Sequence, residues 1–393
     1  MQSHWDKREA KCCNRALALR AYTSRLLGAD ATLVMHGGGN TSLKVHEGAA
    51  ELLYIKGTGS DLAVVDESAF TPLRLDGVRS VLAHDCADNA AMMHALDACL
   101  ARRPAPRPSI ETLMHASLPY QYVEHTHADS VLAAMNVENI EAVHAELYAD
   151  VAPLVPYHHS GHALARACME VFAARRTQKT IGLILAFHGV VAFGNEARES
   201  YENMIRLTTM AEDYLKAHDA WDSAAPAAAT GAPAHAELGV VHEAINTLAG
   251  TTLSMQVVGD ANCLAFARRA DLAEVSQQGP ATPQHAVYTK RVPMLGHDAG
   301  KFAAQYRDYL NTHLGKQAGA LIDAAPRIVL DAEFGMIAFG RDAREAQIAA
   351  RMYQHDIAII TRASAHGRYR SAPPAAIAQA EFEYGGYAIK NNE

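Results

Sequence analysis

The chain has 393 residues, 49% of them hydrophobic and 20% charged, and a net charge of −8. The acidic balance and the lack of any Lys/Arg run exclude a phosphate-backbone footprint, and the apolar content excludes a disordered chain. The length suits two domains of ordinary size.

Six cysteines, Cys12, Cys13, Cys86, Cys99, Cys168 and Cys263, form no C-x-x-C and no framework spacing. Free thiols in a reducing compartment, the cytoplasm, are therefore expected. The opening residues Met1 to Glu9 are too charged for a signal sequence, and no apolar run approaches the ~18 residues that cross a bilayer. Neither export nor a membrane partner is expected.

Residues 5–28 read as one amphipathic helix closed by Gly28, with Ala16, Leu19, Leu26 and Leu27 on one side and Arg15, Arg20 and Arg25 on the other. A short strand, Thr32 to His36, then meets the loop Gly37-Gly38-Gly39-Asn40-Thr41-Ser42 and a second strand, Leu43 to Val45. Consecutive glycines let backbone N–H groups converge into an anion-binding concavity, although such a loop taken alone is more often a flexible hairpin. Neither G-x-G-x-x-G nor G-x-x-x-x-G-K-[ST] is present, so no nucleotide cofactor is expected.

From Glu51 a strand runs into a turn at Thr58 and Gly59; it carries Lys56, which reads as a solvated surface charge or a substrate contact. Residues 84–101 look helical, and the proline-rich turn Arg102 to Pro108 then delivers Ser109 and Glu111. Glu111 starts a helix that carries His115, and Ser109 is a plausible cap.

The run Tyr122-Val123-Glu124-His125-Thr126-His127 is rich in β-branched and aromatic residues. In a strand, residues two apart share a face, so His125 and His127 can share one ion. A Zn²⁺-type site takes three protein ligands and keeps a position open when it is catalytic. The third candidate is His188, which interrupts the apolar double strand Ile181 to Gly194.

Downstream of the histidine pair stand Tyr148, Tyr157, His158, His159 and His162, leading into a helix that ends near Ala174. A helix bearing Ala197, Tyr201, Met204, Ile205, Thr208 and Ala211 closes a first domain near Ala217, and Ala224 to Ala234 reads as a linker. The second half echoes the first: Gly189, Phe193, Gly194, Ala197, Arg198 and Glu199 recur as Gly335, Phe339, Gly340, Ala343, Arg344 and Glu345, at an offset of 146. Phe334 stands at the place of His188, and a weaker echo sets Val287 to Arg291 against Glu124 to Ala128, with Tyr288 and Lys290 at the ligand positions. The copy is expected to bind no metal.

The patterns P-S-x-E-T-L-x-H-A from Pro108, H-T-H-A-D from His125, L-x-x-H-G ending at Gly189 and F-G-x-x-A-R-E-S-Y from Phe193 resemble the class II aldolase/adducin family. Within it, the chain is similar to the aldolase portion of rhamnulose-phosphate aldolase-like proteins that elsewhere carry a fused short-chain dehydrogenase. Neither that domain nor hydride chemistry is expected here. The resemblance implies an α/β fold: a three-layer domain with a mainly antiparallel sheet over 1–222, and a degenerate domain of similar fold over 235–393.

It also implies a metal on His125, His127 and His188, Glu111 as general acid and base, and carbon–carbon cleavage of a keto-sugar or related compound through an enediolate. Zinc is the expected ion, with Mn²⁺, Fe²⁺ and Co²⁺ also suited to imidazole. The family's phosphate loop maps onto Asn40, Thr41, Thr58, Gly59 and Ser109. Ile110 replaces a second serine that many phosphate-using relatives have, so a carboxylate or an unphosphorylated sugar also fits.

A tyrosine, Tyr157 or Tyr148, would protonate the leaving aldehyde. The family's rings of subunits imply a homo-oligomer, with Lys290, Arg291 or His285 available to a neighbour's site. Decarboxylation, epimerisation, dehydration and an adducin-like binding role are the alternatives on the same scaffold.

Overall fold

The computed structural model describes residues 1–222, 235–315 and 323–385, and the chain divides into two units, Met1–Met135 with Ile140–Tyr214 and Asn136–Asn139 with Leu215–Glu393. The Ala224 to Ala234 segment lies outside the described residues.

The first unit is built on seven strands: β1 Asn40–Glu47, β2 Ala50–Lys56, β3 Phe70–Arg74, β4 Tyr122–Thr126, β5 Leu154–Val155, β6 Gly182–Leu185 and β7 Gly189–Gly194. Their order is β3-β2-β1-β4-β7-β6-β5. Every pairing is antiparallel except β5 with β6, as expected of a mainly antiparallel sheet.

Helices cover both faces. On one, Leu53, Ile55, Val123, Leu183, Val191 and Phe193 pack against Leu113, Met114, Leu164, Cys168 and Phe172 of the helices Thr112–Ser117 and His162–Arg175. On the other lie the helices Ala16–Gly28 and Ala197–Ala217, which reach the sheet through Arg20 to Glu124 and through Thr126 to Met204.

Several elements differ from expectation. The 5–28 helix is two, Lys7–Cys12 and Ala16–Gly28, separated by extended backbone at Cys13 and Arg15. Trp5 folds edge-on against Tyr22, with ring centres 5.6 Å apart. Arg20, expected on the solvent side, is wholly buried and pairs with Glu124 at 2.7 Å.

Thr32 to His36 is a turn rather than a strand, and its exit uses left-handed backbone at His36 (φ 46°) and Gly37 (φ 78°). The helix expected over 84–101 is confined to Asn89–Ala98, because the Asp88 side chain caps it by accepting from Ala91 N–H at 2.8 Å. The helix Leu75–Ala83, unforeseen in the sequence, precedes it.

The second unit has four described strands, β8 Ser254–Val258, β9 Met294–Leu295, β10 Ile328–Asp331 and β11 Gly335–Gly340, in the order β8-β11-β10-β9. Both their order and their senses repeat β4-β7-β6-β5: an antiparallel hairpin, an antiparallel partner on one side and a parallel one on the other. The offset of 146 holds for the hairpin and for the start of the next helix, Ala343–His366. Among the described residues, nothing in this unit corresponds to β1–β3.

The register corrects one expected correspondence. Val287 to Thr289 belong to the helix Pro283–Thr289, not to a strand. Instead, Ser254 faces Gly340 as Tyr122 faces Gly194, and Val257 faces Ile337 as His125 faces Val191. Val257, Gly259 and Phe334 therefore stand where the first unit has His125, His127 and His188, so the copy still lacks the three imidazoles.

The three residues expected to serve a neighbour each have partners within the second unit. Lys290 is buried, with its Nζ on Asp323; His285 Nδ1 lies 2.7 Å from Asp356; and Arg291 donates to the Gln277 carbonyl at 3.2 Å.

Removing one partner of a buried ion pair leaves an uncompensated interior charge, which costs about 3–5 kcal/mol. Arg20→Met is expected to lower the urea-unfolding free energy of the first unit by about that much, and Arg20→Met/Glu124→Leu to recover most of it. A loss below about 1 kcal/mol in the single variant would show that the pair does not hold the helix to β4.

Candidate metal centre

β4 brings His125 and, one residue past its end, His127 to one point; the β6–β7 turn brings His188. That turn is tight. Phe187 takes a left-handed conformation (φ 56°), and His188 N–H donates to the Leu185 carbonyl at 3.1 Å.

Gly189 follows at φ 155°, and a Cβ there would overlap the Thr126 carbonyl and stand 3.1 Å from His127 Cδ2 and 3.3 Å from His125 Cε1. Glycine after His188 is thus a packing requirement of the histidine cluster. Gly39 (φ 61°) plays a similar part on the far side, since a Cβ would come within 2.7 Å of the His125 carbonyl oxygen.

The three imidazoles each present a ring nitrogen within 4.8 Å of the others, and His125 Nε2 lies 2.9 Å from His127 Nε2. Tetrahedral ligands about 2.0–2.1 Å from a Zn²⁺ ion stand about 3.4 Å from one another, inside that spread. A carbonyl can only accept, so His125 Nδ1 donates its proton to Val190 O at 3.1 Å, and Nε2 faces the cluster as a lone pair. Burial takes His125 down to about 4, which keeps it in the neutral, ligating form at neutral pH. Donor type and spacing, with the tautomer of His125, fit a divalent metal ion.

Glu111 sits at the start of the Thr112–Ser117 helix, but its side chain makes no capping bond. It turns instead to the cluster: Oε1 lies 3.1 Å from His188 Nε2, and Oε2 lies 3.5 Å from His125 Nε2. Asn40 Nδ2 donates to Oε2 at 2.7 Å, and Ser160 Oγ donates to Oε1 at 3.4 Å. Burial alone would raise this carboxyl; the neighbouring His125 and His188, with the bonds from His188 and Asn40, outweigh it and hold Glu111 well below the usual carboxylate range.

Asn40 is itself aimed from behind. His115 Nε2 donates to Asn40 Oδ1, which fixes the amide so that its NH₂ faces Glu111, and Ser42 Oγ donates to His115 Nδ1 at 2.8 Å. Burial lowers His115 well below its ordinary value and keeps it neutral, as this chain of donors requires. The roles of Ser42, His115 and Ser160 were not read from the sequence, although Asn40 and Ser42 are two apart on β1 and so share a face.

The remaining expected residues divide. Ser109 Oγ lies 3.2 Å from Asn40 Nδ2 and accepts from Glu111 N–H at 3.2 Å. Thr58 and Gly59 form an exposed turn, which Thr58 ties to the following loop by donating to Pro108 O at 3.0 Å. Thr41 points to the opposite sheet face, where its hydroxyl meets Ser24 Oγ at 2.7 Å.

Lys56 is buried rather than solvated, and donates to Gly37 O at 3.1 Å and Gly39 O at 3.4 Å; burial lowers it to about 8, so it remains mostly cationic beneath the glycine loop at neutral pH. Tyr148 is fully buried and donates to Leu207 O at 3.1 Å, a packing role remote from proton delivery. Tyr157 is half-buried and His158 exposed; His162 bonds to the Leu82 carbonyl at 3.1 Å through Nε2.

A layered, mainly antiparallel sheet whose central strand and neighbouring hairpin gather three imidazoles beside a buried carboxylate defines a class II aldolase-type scaffold. The class II aldolase and adducin N-terminal domain family matches residues 18–215, and the aldolase class II second domain family matches 232–384. The chain belongs to the class II aldolase and adducin family.

A curated relative from Bacillus subtilis (strain 168), named uncharacterized oxidoreductase YuxG, is 28% identical over 397 residues, which take in 93% of this chain and 57% of the relative. The chain thus spans little more than half of that protein's length. The solved N-terminal class II aldolase domain of a conserved protein from Thermoplasma acidophilum is 32% identical, with a TM-score of 0.50, over 55% of this chain and 99% of that one. L-Fuculose-1-phosphate aldolase from Thermus thermophilus is 18% identical with a TM-score of 0.36, over 52% of this chain and 96% of that one.

Gly189→Ala is expected to weaken Zn²⁺ binding by about 10–100-fold, the range seen when groups that orient ligands are disturbed. Gly48→Ala is the control, since a Cβ there meets nothing within 4 Å. Competition with a chromogenic chelator reads both; wild-type affinity in Gly189→Ala would contradict the packing argument.

Proposed function

We propose that the chain is a divalent-metal-dependent aldolase, a lyase that cleaves or forms a carbon–carbon bond in a keto-sugar, a sugar phosphate or a related hydroxy-carbonyl compound through an enediolate. The observation that carries this reading is Glu111: a buried, acid-shifted carboxylate that caps nothing and stands 3.1 Å from His188 and 3.5 Å from His125. His125, His127 and His188 would hold the ion, zinc in the first instance. Bound there, a divalent ion supplies Lewis-acid stabilisation of the negative charge that develops on the substrate oxygens.

Glu111 takes the proton from the nucleophilic carbon in one direction and returns it in the other. Asn40 holds Oε2 by donating to it at 2.7 Å, which leaves Oε1, 3.1 Å from His188 Nε2 and 3.4 Å from Ser160 Oγ, as the oxygen that takes and returns the proton. The buried surroundings of His125 and Glu111 keep bulk water from competing for that proton.

The far end of the substrate lies towards the glycine loop, where Asn40, Ser109, Thr58 and Gly59, with the cationic Lys56 beneath, suit a phosphate or a carboxylate. Thr41 contributes backbone only, since its hydroxyl is turned away. Tyr157 is the acid assigned to the leaving aldehyde. Catalysis belongs to residues 1–222, and residues 235–393 form a domain without metal ligands; the working form is a cytoplasmic homo-oligomer.

Glu111→Gln is expected to lower kcat by about 10²–10⁴-fold while metal content stays at the wild-type level. A retro-aldol screen over ketoses and ketose 1-phosphates, read by aldehyde release, tests the reaction class. CO₂ or an epimer in place of aldehyde would move the assignment to decarboxylation or epimerisation.

A further inference from the structure

The four-strand repeat leaves one position open. In the first unit, the second edge of β4 is covered by β1 through the pairs Leu43↔Tyr122, Ser42↔Val123, Thr41↔Glu124 and Asn40↔His125. β8 takes the place of β4 in the second unit and is paired along one edge with β11. Among the described residues no strand pairs with its other edge, so alternate backbone N–H and C=O groups there face outward.

The strand carries none of the usual protection against pairing. Ser254-Met255-Gln256-Val257-Val258 has no charge, no proline and no glycine, whereas natural edges are blunted by lysines, prolines or bulges. All five residues of β4 are buried, but none of β8 is, and Val257 is 37% exposed.

We propose that this edge docks a second copy of the chain, β8 against β8 of the partner, antiparallel and centred on Gln256. The two four-stranded sheets then join into one across a two-fold axis. This inference is independent of the metal centre and of the aldolase reading.

Three features favour a second copy as the occupant. A two-fold axis at the middle of a strand pair makes identical strands antiparallel, and that is the sense in which β1 covers β4 in the first unit. Centring on Gln256 sets Met255 opposite the partner subunit's Val257 and Ser254 opposite the partner subunit's Val258, while the two glutamine amides meet on the axis.

Charge is also compatible. The nearest ionisable residue, Asp260, falls opposite the partner's Thr252, so no like charges face each other, and the strand offers a differently charged partner nothing to recognise. Strand pairing alone buries less than the ~1,200–2,000 Å² of a typical stable interface, so a dissociation constant of the order of 10⁻⁶ M is expected.

The test is sedimentation velocity of the full chain and of Gln256→Lys, which places two ammonium groups face to face on the axis. At concentrations above about 10⁻⁵ M the wild type is expected to sediment at twice the mass of the variant, with identical circular dichroism. Should the first unit also associate, the wild type is expected to form an assembly larger than the variant's. Equal masses with intact circular dichroism would overturn the proposal.

Should Gln256→Lys fail to fold, Gln256→Cys in a Cys12→Ser/Cys13→Ser background gives the second reading. Mild oxidation is expected to yield a covalent dimer, which a Thr247→Cys control on the exposed side of its helix does not form. No covalent dimer at position 256, or equal dimer at both positions, would also overturn it.

Discussion

β4 is hydrogen-bonded along both edges, to β1 with Asn40 opposite His125 and to β7 with Val191 opposite the same residue. This double pairing sets where every group of the centre stands. From the β1 side it brings Asn40, the residue that holds Glu111; from the β7 side it brings the turn that carries His188. Strand alternation then separates two kinds of polar chemistry on one strand. His125 faces the cluster, while Glu124 faces backwards into an ion pair with Arg20 that has no exposure at all. A slip of one residue would exchange them and destroy both.

The second unit shows what that framework does without the chemistry. Four strands keep their order, their senses and even the spacing of the hairpin, and a core of Leu238, Ile245, Phe302, Val329, Ile337 and Phe339 holds them. At the places of the three imidazoles stand Val257, Gly259 and Phe334, two of them apolar side chains. Fold and site are therefore separable in this chain: backbone pairing and apolar packing suffice for the half-sheet, and the histidines are additions to it. What the second unit lacks among its described residues is the β1–β3 extension, which in the first unit both covers the β4 edge and supplies Asn40.

The parts of the site legible in the sequence are those governed by local periodicity or by a dense local pattern. His125 and His127 share a face because they are two apart in a strand; His188 stands out as an imidazole in an apolar run; Glu111 lies in a specific motif. The parts that are not legible depend on register and burial across distant segments. Whether Thr41 faces the site or the Ala16–Gly28 helix follows only from its pairing opposite Glu124. Arg20 and Lys56 look like surface charges in the sequence because nothing nearby marks their partners, Glu124 and the Gly37 and Gly39 carbonyls. Residue likeness points to Val287 to Arg291 for the strand answering β4, whereas the fold places it at Ser254–Val258, with no sequence likeness left to find.

His125 on β4, His127 just past its end and His188 on the β6–β7 turn are placed to hold one metal ion, with Glu111 beside them. Elemental mass spectrometry of the purified chain and of His188→Ala, each after reconstitution with zinc and removal of excess, tests it most directly. About one equivalent in the wild type, lost in the variant while circular dichroism is unchanged, is the predicted result. No bound metal in either protein, or one equivalent retained in both, would contradict it.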